Sequence, residues 1–146
     1  MKISLTRRYL FSAAHRLHSA RFSDAENRRL YGKCDNPHGH GHNYSVEVTL
    51  TGPVDPKTGM VANLAELDEF VQREILDPFD HKNLNEEVAE FRNAVPTTEN
   101  LAHEIFRRLR SFSGARLERI RIEETGKNSF ECFEDPGARV PGEKIR

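Results

Sequence analysis

Three histidines in two segments of the chain have the residue type and spacing of metal ligands. His40 and His42 flank Gly41, and alternate residues of an extended strand point to one side, about 7 Å apart along the chain. His15 closes another alternating segment, so pairing of the two segments could bring a third imidazole beside them. Three neutral imidazoles favour zinc and leave a fourth position open for water or substrate. The sequence therefore predicts a catalytic zinc site.

A further histidine in the same stretch leaves the choice of ligands open. His38 lies two residues before His40 and has the same spacing as His40 and His42. We favour the later pair because it adjoins the regular strand, whereas His38 follows a proline in a loop and would be held less firmly. His18 and His103 are interpreted as ordinary surface or helix residues.

Cys34 is a candidate base because it lies six residues before His40, within reach of a metal bound there. A thiolate forms more readily near a cation, and it can then remove a proton from a carbon next to a metal-bound oxygen. The alternative is an ordinary reduced, partly buried cysteine. We favour that alternative for Cys132, which lies in an apolar segment.

Two further positions carry acid–base groups. Adjacent Asp80 and His81 could form a pair in which the carboxylate orients the imidazole, or they could be solvated loop charges. Glu124 ends an alternating segment after Ile120 and Ile122, where a carboxylate needs a partner. The amino-pyrimidinone edge of a pterin or guanine offers two parallel N–H donors, and a salt bridge is the alternative.

Alternation and capping signals predict the elements that position these groups. Apolar residues alternate over 3–15 and 38–50, and again over 117–124, where a Gly126 turn leads to an apolar run at 130–133. A capping box at Ser23 opens a short helix that ends at Gly32. Two amphipathic helices follow these signals, one from Asn63 to Asp77-Pro78 and one from Pro96-Thr97 to Ser113-Gly114.

The order of the main elements is strand, strand, helix, helix, strand, strand. This order predicts an α+β fold in which an antiparallel four-stranded sheet carries two helices on one face. The edges of such a sheet remain open, and pairing with other subunits could close them into a barrel.

Length and composition bound the class of protein. The 146 residues suit one domain, predicted at 1–134, and a tail at 135–146 with two prolines and two glycines is predicted to be flexible. With 22 basic and 23 acidic residues, no overall charge favours nucleic acid. No apolar run approaches the roughly 20 residues of a membrane span, and the two cysteines do not suggest a disulfide scaffold. A cytoplasmic protein is expected.

Five segments, in order, resemble the 6-pyruvoyl-tetrahydropterin synthase family, and the similarity spans roughly residues 3–133. They are Phe11–Leu17, Gly32–Pro37, Gly39–Tyr44, Asp80–Leu84 and Pro96–Asn100, followed by Glu124-Thr125. The resemblance implies the tunnelling fold, in which subunits close a barrel as trimers and two trimers stack into a homohexamer. It also implies that each active site is shared between subunits.

The resemblance further implies a role for each candidate residue. His15, His40 and His42 would bind zinc, Cys34 would be the proton-abstracting base, Asp80 and His81 would form a relay, Glu124 would anchor the pterin, and Thr97, Thr98 and Glu99 would form a second pterin-contacting segment. Triphosphate should need several cations, and Arg16, Arg28, Arg29 and Lys33 flank these motifs.

The implied reaction is elimination of triphosphate from 7,8-dihydroneopterin 3'-triphosphate to give 6-pyruvoyl-5,6,7,8-tetrahydropterin, with no nicotinamide. A related family, 6-carboxy-5,6,7,8-tetrahydropterin synthase of the queuosine pathway, resembles Cys-x3-His-x-His. Here five residues separate Cys34 from His40, as in the pyruvoyl-forming enzyme, but only three separate it from His38. A non-catalytic pterin- or purine-binding hexamer is the alternative from another class, and the candidate acid–base residues argue against it.

Overall fold

Two long antiparallel strands form the centre of the sheet. The computed structural model describes residues 1–135 and pairs β1 (Ile3–His15) with β2 (His40–Gly52) along their whole length. Strand β2 also pairs with β4 (Arg116–Thr125), which in turn pairs with β5 (Asn128–Cys132). The two hairpins predicted from the alternating segments are therefore confirmed.

Within residues 1–135 the sheet has five strands in the order β3-β1-β2-β4-β5, so the prediction of four antiparallel strands is wrong. The additional strand, β3 (Lys82–Asn83), has two residues and runs parallel to β1 beside Ala13 and Ala14. Two residues are too few to produce an alternating pattern, which explains why the sequence does not reveal this strand. The sheet is mixed, within an α+β fold.

Helices occur in three of the connections between strands. Between β1 and β2 lie α1 (Asp24–Tyr31) and a 3₁₀ turn (Gly32–Asp35). The stretch between β2 and β3 contains α2 (Leu64–Val71), a π-helical turn (Gln72–Leu76) and α3 (Asp77–Phe79). Between β3 and β4 lie α4 (Leu84–Glu87), a second 3₁₀ turn (Ala89–Arg92) and α5 (Thr98–Leu109).

Three of the predicted helix starts are confirmed by their caps. The side chains of Ser23, Asn63 and Thr97 accept hydrogen bonds from backbone N–H groups at the starts of α1, α2 and α5. The predicted stop at Asp77-Pro78 is wrong, because the chain stays helical to Phe79. Pro78 has no N–H for the carbonyl of Glu74 one turn earlier, and that carbonyl accepts a hydrogen bond from Arg108 at 3.1 Å instead. Helix α5 ends at Leu109, before the predicted glycine.

The core lies between the sheet and its helices. Buried positions of β1 are the odd-numbered Phe11, Ala13 and His15, and α2 and α5 direct their apolar stripes at the same face. Of the predicted stripes, Leu67, Val71 and Ile75 on the α2 side and Leu101, Ile105 and Leu109 on α5 are buried, whereas Leu64 is half-buried against the core. Both long helices therefore cover the face of the sheet on which His15 lies.

A buried carboxylate on α5 contributes to stability. Glu104 accepts hydrogen bonds from Arg107 at 2.5 and 2.9 Å and from Arg108 at 2.8 Å. Burial alone would raise the pKa of Glu104, but the bonds and charges of the two arginines outweigh it and leave the pKa below its ordinary value. The carboxylate form is therefore the one that the fold stabilises.

The variant Glu104→Gln is expected to lower the free energy of unfolding at pH 7 by about 1–3 kcal/mol, because the guanidinium groups of Arg107 and Arg108 lose their charged acceptor at a buried position. A lowered folded-state pKa stabilises the fold above the unfolded value of about 4.3 and ceases to do so as the pH falls through the folded value. Urea unfolding at pH 7 and pH 3 would measure this difference, which should shrink in acid.

The matched control is Glu90→Gln, since Glu90 pairs with Arg107 and Arg108 at 3.4 and 3.1 Å but is 38% exposed. Its loss should change the unfolding free energy by less than about 1 kcal/mol. Equal effects of the two variants would contradict the prediction.

Two further expectations concern the C-terminal tail and membrane-spanning helices. The predicted tail at 135–146 lies outside the described residues apart from Asp135, so its flexibility and the domain boundary stay predictions. Among residues 1–135, no helix is long and apolar enough to cross a membrane.

Candidate functional site

The register of the central hairpin brings three imidazoles together. Antiparallel pairing places His15 directly opposite His40, and His42 follows on the same side of β2. The Nε2 atom of His40 lies 3.1 Å from that of His15 and 3.0 Å from that of His42. The ligand-capable nitrogens of all three lie within 4.8 Å of one another. His38, in contrast, is an exposed loop residue whose backbone N–H donates to Asn36.

The orientation of the His15 ring is set by a backbone carbonyl. Its Nδ1 lies 2.9 Å from the carbonyl oxygen of Pro96, which can only accept, so Nδ1 carries the proton. In the neutral ring the lone pair is then on Nε2, which faces the other two histidines. Burial also lowers the pKa of His15 and of His42, which favours their neutral forms.

This arrangement fits a zinc ion. Zinc binds histidine nitrogen at about 2.0–2.1 Å, so two ligands of a tetrahedral ion lie about 3.3 Å apart. The observed separations of 3.0 and 3.1 Å are close to that value. Three nitrogen donors from one hairpin leave a fourth position for a ligand from outside, as catalytic zinc sites require. The residues present therefore fit the metal that the sequence predicts.

A carboxylate lies beside the histidines. Glu124 Oε1 is 3.6 Å from Nε2 of His42, and its Oε2 accepts a hydrogen bond from the hydroxyl of Thr98. The pairing of β4 with β5 shifts register between Glu123 and Thr125, so Glu124 lies at a bulge. Bulges redirect side chains next to functional sites. Thr98, 2% exposed, is the first residue of α5, directly after its N-cap Thr97.

Tyr44 is part of this site, although sequence reasoning did not identify it. Its side chain is fully buried, and its hydroxyl lies 3.5 Å from Nδ1 of His15. Its ring stands edge-on to the ring of His42, with centroids 5.6 Å apart. Burial, followed by the charges of Glu124 and Cys34, raises the pKa of Tyr44 well above its ordinary range. The one available signal was its place in the alternating series after His40 and His42.

Cys34 lies in the 3₁₀ turn that follows α1. Its carbonyl oxygen accepts a hydrogen bond from the backbone N–H of Leu17 at 2.8 Å, which ties the turn to the chain just beyond β1. Burial, and then the negative charge of Glu124, raise the pKa of the Cys34 thiol. A nearby cation would have the opposite effect on the pKa of this thiol.

Asp80 and His81 contact each other at the edge of the sheet. Their Oδ1 and Nδ1 atoms lie 3.0 Å apart, and both residues bond to the backbone of Ser12, at 2.9 Å for Asp80 and 2.6 Å for His81. The bond from Ser12, followed by the histidine, lowers the pKa of Asp80. His81 has a φ of 60°, which is uncommon outside glycine, and its side chain is 83% exposed. These bonds direct the pair toward solvent.

The other predicted residues have mixed positions. Glu99 is exposed in the first turn of α5, and its carboxylate is not placed among the histidines. Arg16, Arg28 and Lys33 line one cavity of about 430 Å³ between α1 and the Cys34 turn. His18, interpreted above as an ordinary residue, donates a hydrogen bond from Nδ1 to the buried carboxylate of Asp35.

Known proteins share both the sequence and the fold of this chain. The family model for 6-pyruvoyl tetrahydropterin synthase matches residues 4–135. A 6-pyruvoyl tetrahydrobiopterin synthase of Poecilia reticulata is 54% identical over 125 residues, covering 85% of each chain. Its counterpart in Homo sapiens is 48% identical over 125 residues, covering 85% of this chain and 86% of the relative.

A solved structure of Caenorhabditis elegans 6-pyruvoyl tetrahydropterin synthase superposes with a TM-score of 0.88 and 44% identity, covering 92% of this chain and 97% of that one. Residues 4–135, which the family model matches, include the three histidines, Cys34 and Glu124. These similarities confirm the resemblance read from the five segments, and the chain belongs to the 6-pyruvoyl tetrahydropterin synthase family.

Proposed function

We propose that this chain is a zinc-dependent lyase that converts 7,8-dihydroneopterin 3'-triphosphate to 6-pyruvoyl-5,6,7,8-tetrahydropterin with loss of triphosphate. The observation that carries the proposal is the convergence of three imidazoles beside a carboxylate that a pterin edge can bind. The names of relatives about half identical over most of the chain support the same activity.

His15, His40 and His42 would hold the metal through their Nε2 atoms. When bound, zinc would supply a Lewis acid that polarises the side-chain oxygens of the substrate and favours negative charge next to them. The hairpin fixes the two strands in register, and the Pro96 carbonyl holds the His15 ring in the required tautomer. The chain would therefore hold three nitrogen donors close to the arrangement that the ion requires.

Glu124 and Thr98 would bind the pterin ring. A carboxylate accepts two parallel N–H bonds from the amino-pyrimidinone edge, and such charge-assisted bonds are stronger than neutral ones. The Thr98 hydroxyl holds one carboxylate oxygen, which limits the rotation of Glu124. Thr97 and Glu99 flank Thr98 at the start of α5, and we propose this segment as the second contact with the ring.

Cys34 would be the base that removes a proton from the substrate side chain. The electron pair of the broken C–H bond moves toward the neighbouring carbon, and triphosphate leaves with the electrons of its C–O bond. Later proton shifts convert the hydroxyl-bearing carbons of the side chain to two carbonyls. The dihydropterin ring is reduced to a tetrahydropterin at the same time, so no outside oxidant is required. A positioned base contributes about 10²–10⁴-fold to such a step.

Asp80 and His81 would relay protons at the site of a neighbouring subunit. Their bonds to Ser12 hold them at the edge of the sheet rather than against the histidines of their own chain. Strand β3 pairs with Ala13 and Ala14, at one end of β1, and β5 is the other outer strand. Pairing of these edges between copies would close the barrel, and we propose a homohexamer of two stacked trimers with shared sites.

The product distinguishes this proposal from 6-carboxy-5,6,7,8-tetrahydropterin synthesis. The paired register of His15 with His40 and the exposed position of His38 support ligation by His40 and His42. With those ligands, five residues separate Cys34 from the first histidine of the pair, the spacing that favours the pyruvoyl product.

The free cysteines also support the cytoplasm as the location of the protein.

Zinc-loaded protein incubated with 7,8-dihydroneopterin 3'-triphosphate is expected to release triphosphate and 6-pyruvoyl-5,6,7,8-tetrahydropterin, identified by mass spectrometry. Cys34→Ala should reduce the rate about 10²–10⁴-fold because it lacks the base. The matched control, Cys132→Ala on β5, should retain the rate.

Formation of 6-carboxy-5,6,7,8-tetrahydropterin with acetaldehyde would instead assign the chain the activity of 6-carboxy-5,6,7,8-tetrahydropterin synthase. Absence of turnover despite bound zinc would contradict both enzyme assignments and leave a pterin- or purine-binding hexamer.

A further inference from the structure

We infer that Asp35 is a positioning residue that holds the Cys34 turn against the end of β1, through hydrogen bonds from Arg16 and His18. The inference rests on the proposed role of Cys34 as the base. It assigns to the residue after the cysteine the task of fixing where that thiol lies relative to the metal ligands.

Asp35 is buried among donors from the segment that follows β1. It is 6% exposed, and its Oδ1 accepts bonds from Nδ1 of His18 at 2.5 Å and from the guanidinium of Arg16 at 3.2 Å. Its backbone carbonyl accepts a second bond from Arg16, from Nε at 3.0 Å. One residue of the Cys34 turn therefore collects three hydrogen bonds from two side chains beyond His15.

The donors are themselves fixed to the fold. The backbone of Arg16 exchanges two bonds with the Asn85 side chain: its N–H donates at 2.7 Å and its carbonyl accepts at 2.9 Å. Arg16 directly follows His15, and the N–H of Leu17 donates to the carbonyl of Cys34 at 2.8 Å. A continuous set of bonds thus joins the strand that carries a metal ligand to the turn that carries the thiol.

The turn needs such a connection because it is short. A four-residue 3₁₀ segment has little stability of its own, and its glycine at position 32 has a φ of 54°. The bonds from Leu17 and from Nε of Arg16 hold the backbone of the turn, and the two bonds to the Asp35 carboxylate fix its rotation about those contacts. Because a misplacement of about 1 Å can reduce the rate about 10²-fold, loss of these bonds should affect catalysis more than binding of the pterin.

The test compares Asp35→Ala and Asp35→Asn with the protein that is unchanged at position 35, called wild type below. All three carry Cys132→Ser, so that Cys34 is the one thiol that remains. Asp35→Ala should lower kcat about 10–100-fold with KM changed less than about threefold, and should raise the rate of Cys34 alkylation by iodoacetamide at least about fivefold. Asparagine retains the accepting Oδ1, so Asp35→Asn should restore both quantities to within about threefold of the wild type.

Asp68→Ala is the matched control. Asp68 also accepts bonds from an arginine and a second side chain, Arg7 and Tyr9, but it lies on α2 beside the middle of β1. The variant Asp68→Ala should therefore leave the rate of Cys34 alkylation and kcat within about threefold of the wild type. If Asp35→Ala does not fold, His18→Ala removes one of the two side-chain donors and should change both quantities in the same direction.

Wild-type alkylation and kcat in Asp35→Ala would overturn the inference, as would equal losses in Asp35→Ala and Asp68→Ala, which would indicate general destabilisation. A wild-type protein without turnover would remove the proposed function but not the alkylation comparison. In that case, faster alkylation in Asp35→Ala alone would support the positioning of Cys34, and unchanged alkylation would overturn it.

Discussion

Replacing His42 with alanine is expected to weaken zinc binding at least about a hundredfold and to abolish turnover. Loss of an outer partner of a ligand typically weakens metal binding about 10–100-fold, and loss of the ligand itself should exceed that range. The two remaining imidazoles cannot complete the three-nitrogen set. Competition with a chromophoric chelator would measure the affinity, and metal analysis of the purified protein would measure occupancy.

His38→Ala is the matched control for this experiment. It removes a histidine with the same spacing from His40, but one that is exposed in the loop before β2. Zinc affinity should therefore remain within about threefold of the wild type, since its ring is not in the ligand set. Retention of zinc by His42→Ala together with loss by His38→Ala would reverse the choice of ligands. That result would also restore the shorter cysteine spacing typical of the carboxy-forming relatives.

The convergence of the three histidines could be predicted because one simple periodicity, the alternation of a strand, applies to both segments that carry them. Alternation over 3–15 and 38–50 identifies two strands, and a hairpin is the simplest way to pair them. In that hairpin the buried face of β1 is the face of His15, and the buried face of β2 is that of His40 and His42. Strand periodicity therefore determines both the secondary structure and the side of the sheet on which the site lies.

The partners of these groups could not be predicted, because they depend on contacts between distant segments. The carbonyl of Pro96 reaches His15 across 81 positions, and a backbone acceptor has no signature in the sequence. Tyr44 has the pattern of an ordinary core residue, and nothing in its spacing indicates that its hydroxyl approaches His15. The first contact arises from the packing of the loop before α5 against the hairpin, and the second from side-chain packing within the hairpin itself.

The same limit applies to the weakest elements and to the acid–base groups. Strand β3 is held by two residues of pairing beside Ala13 and Ala14, too short for any periodic signal. The sequence places Asp80 and His81 next to each other, but their attachment to Ser12 at the sheet edge is a tertiary feature. Whether the pair acts within one chain or across subunits therefore depends on assembly, which residue spacing does not encode.

The variant Glu124→Gln is expected to reduce kcat/KM about 10²–10³-fold without changing zinc content. A carboxylate that accepts two N–H bonds from a pterin loses both the charge and one acceptor when it becomes an amide. Hydrogen bonds to charged groups contribute about 1.5–3 kcal/mol each, and about 1.4 kcal/mol corresponds to a factor of ten. Calorimetric titration with a pterin that lacks the triphosphate and so cannot undergo the elimination, alongside steady-state kinetics, would separate lost binding from lost chemistry.

Glu123→Gln is the matched control, because it makes the same change one residue earlier on the opposite side of β4. Glu123 is 40% exposed and pairs with Arg121 at 3.5 Å, so its loss should change kcat/KM less than about threefold. Metal analysis is essential, since Glu124 lies 3.6 Å from His42 and could influence the ion. Lost zinc in Glu124→Gln would assign the carboxylate to the metal site, whereas lost pterin affinity with zinc retained would assign it to substrate recognition.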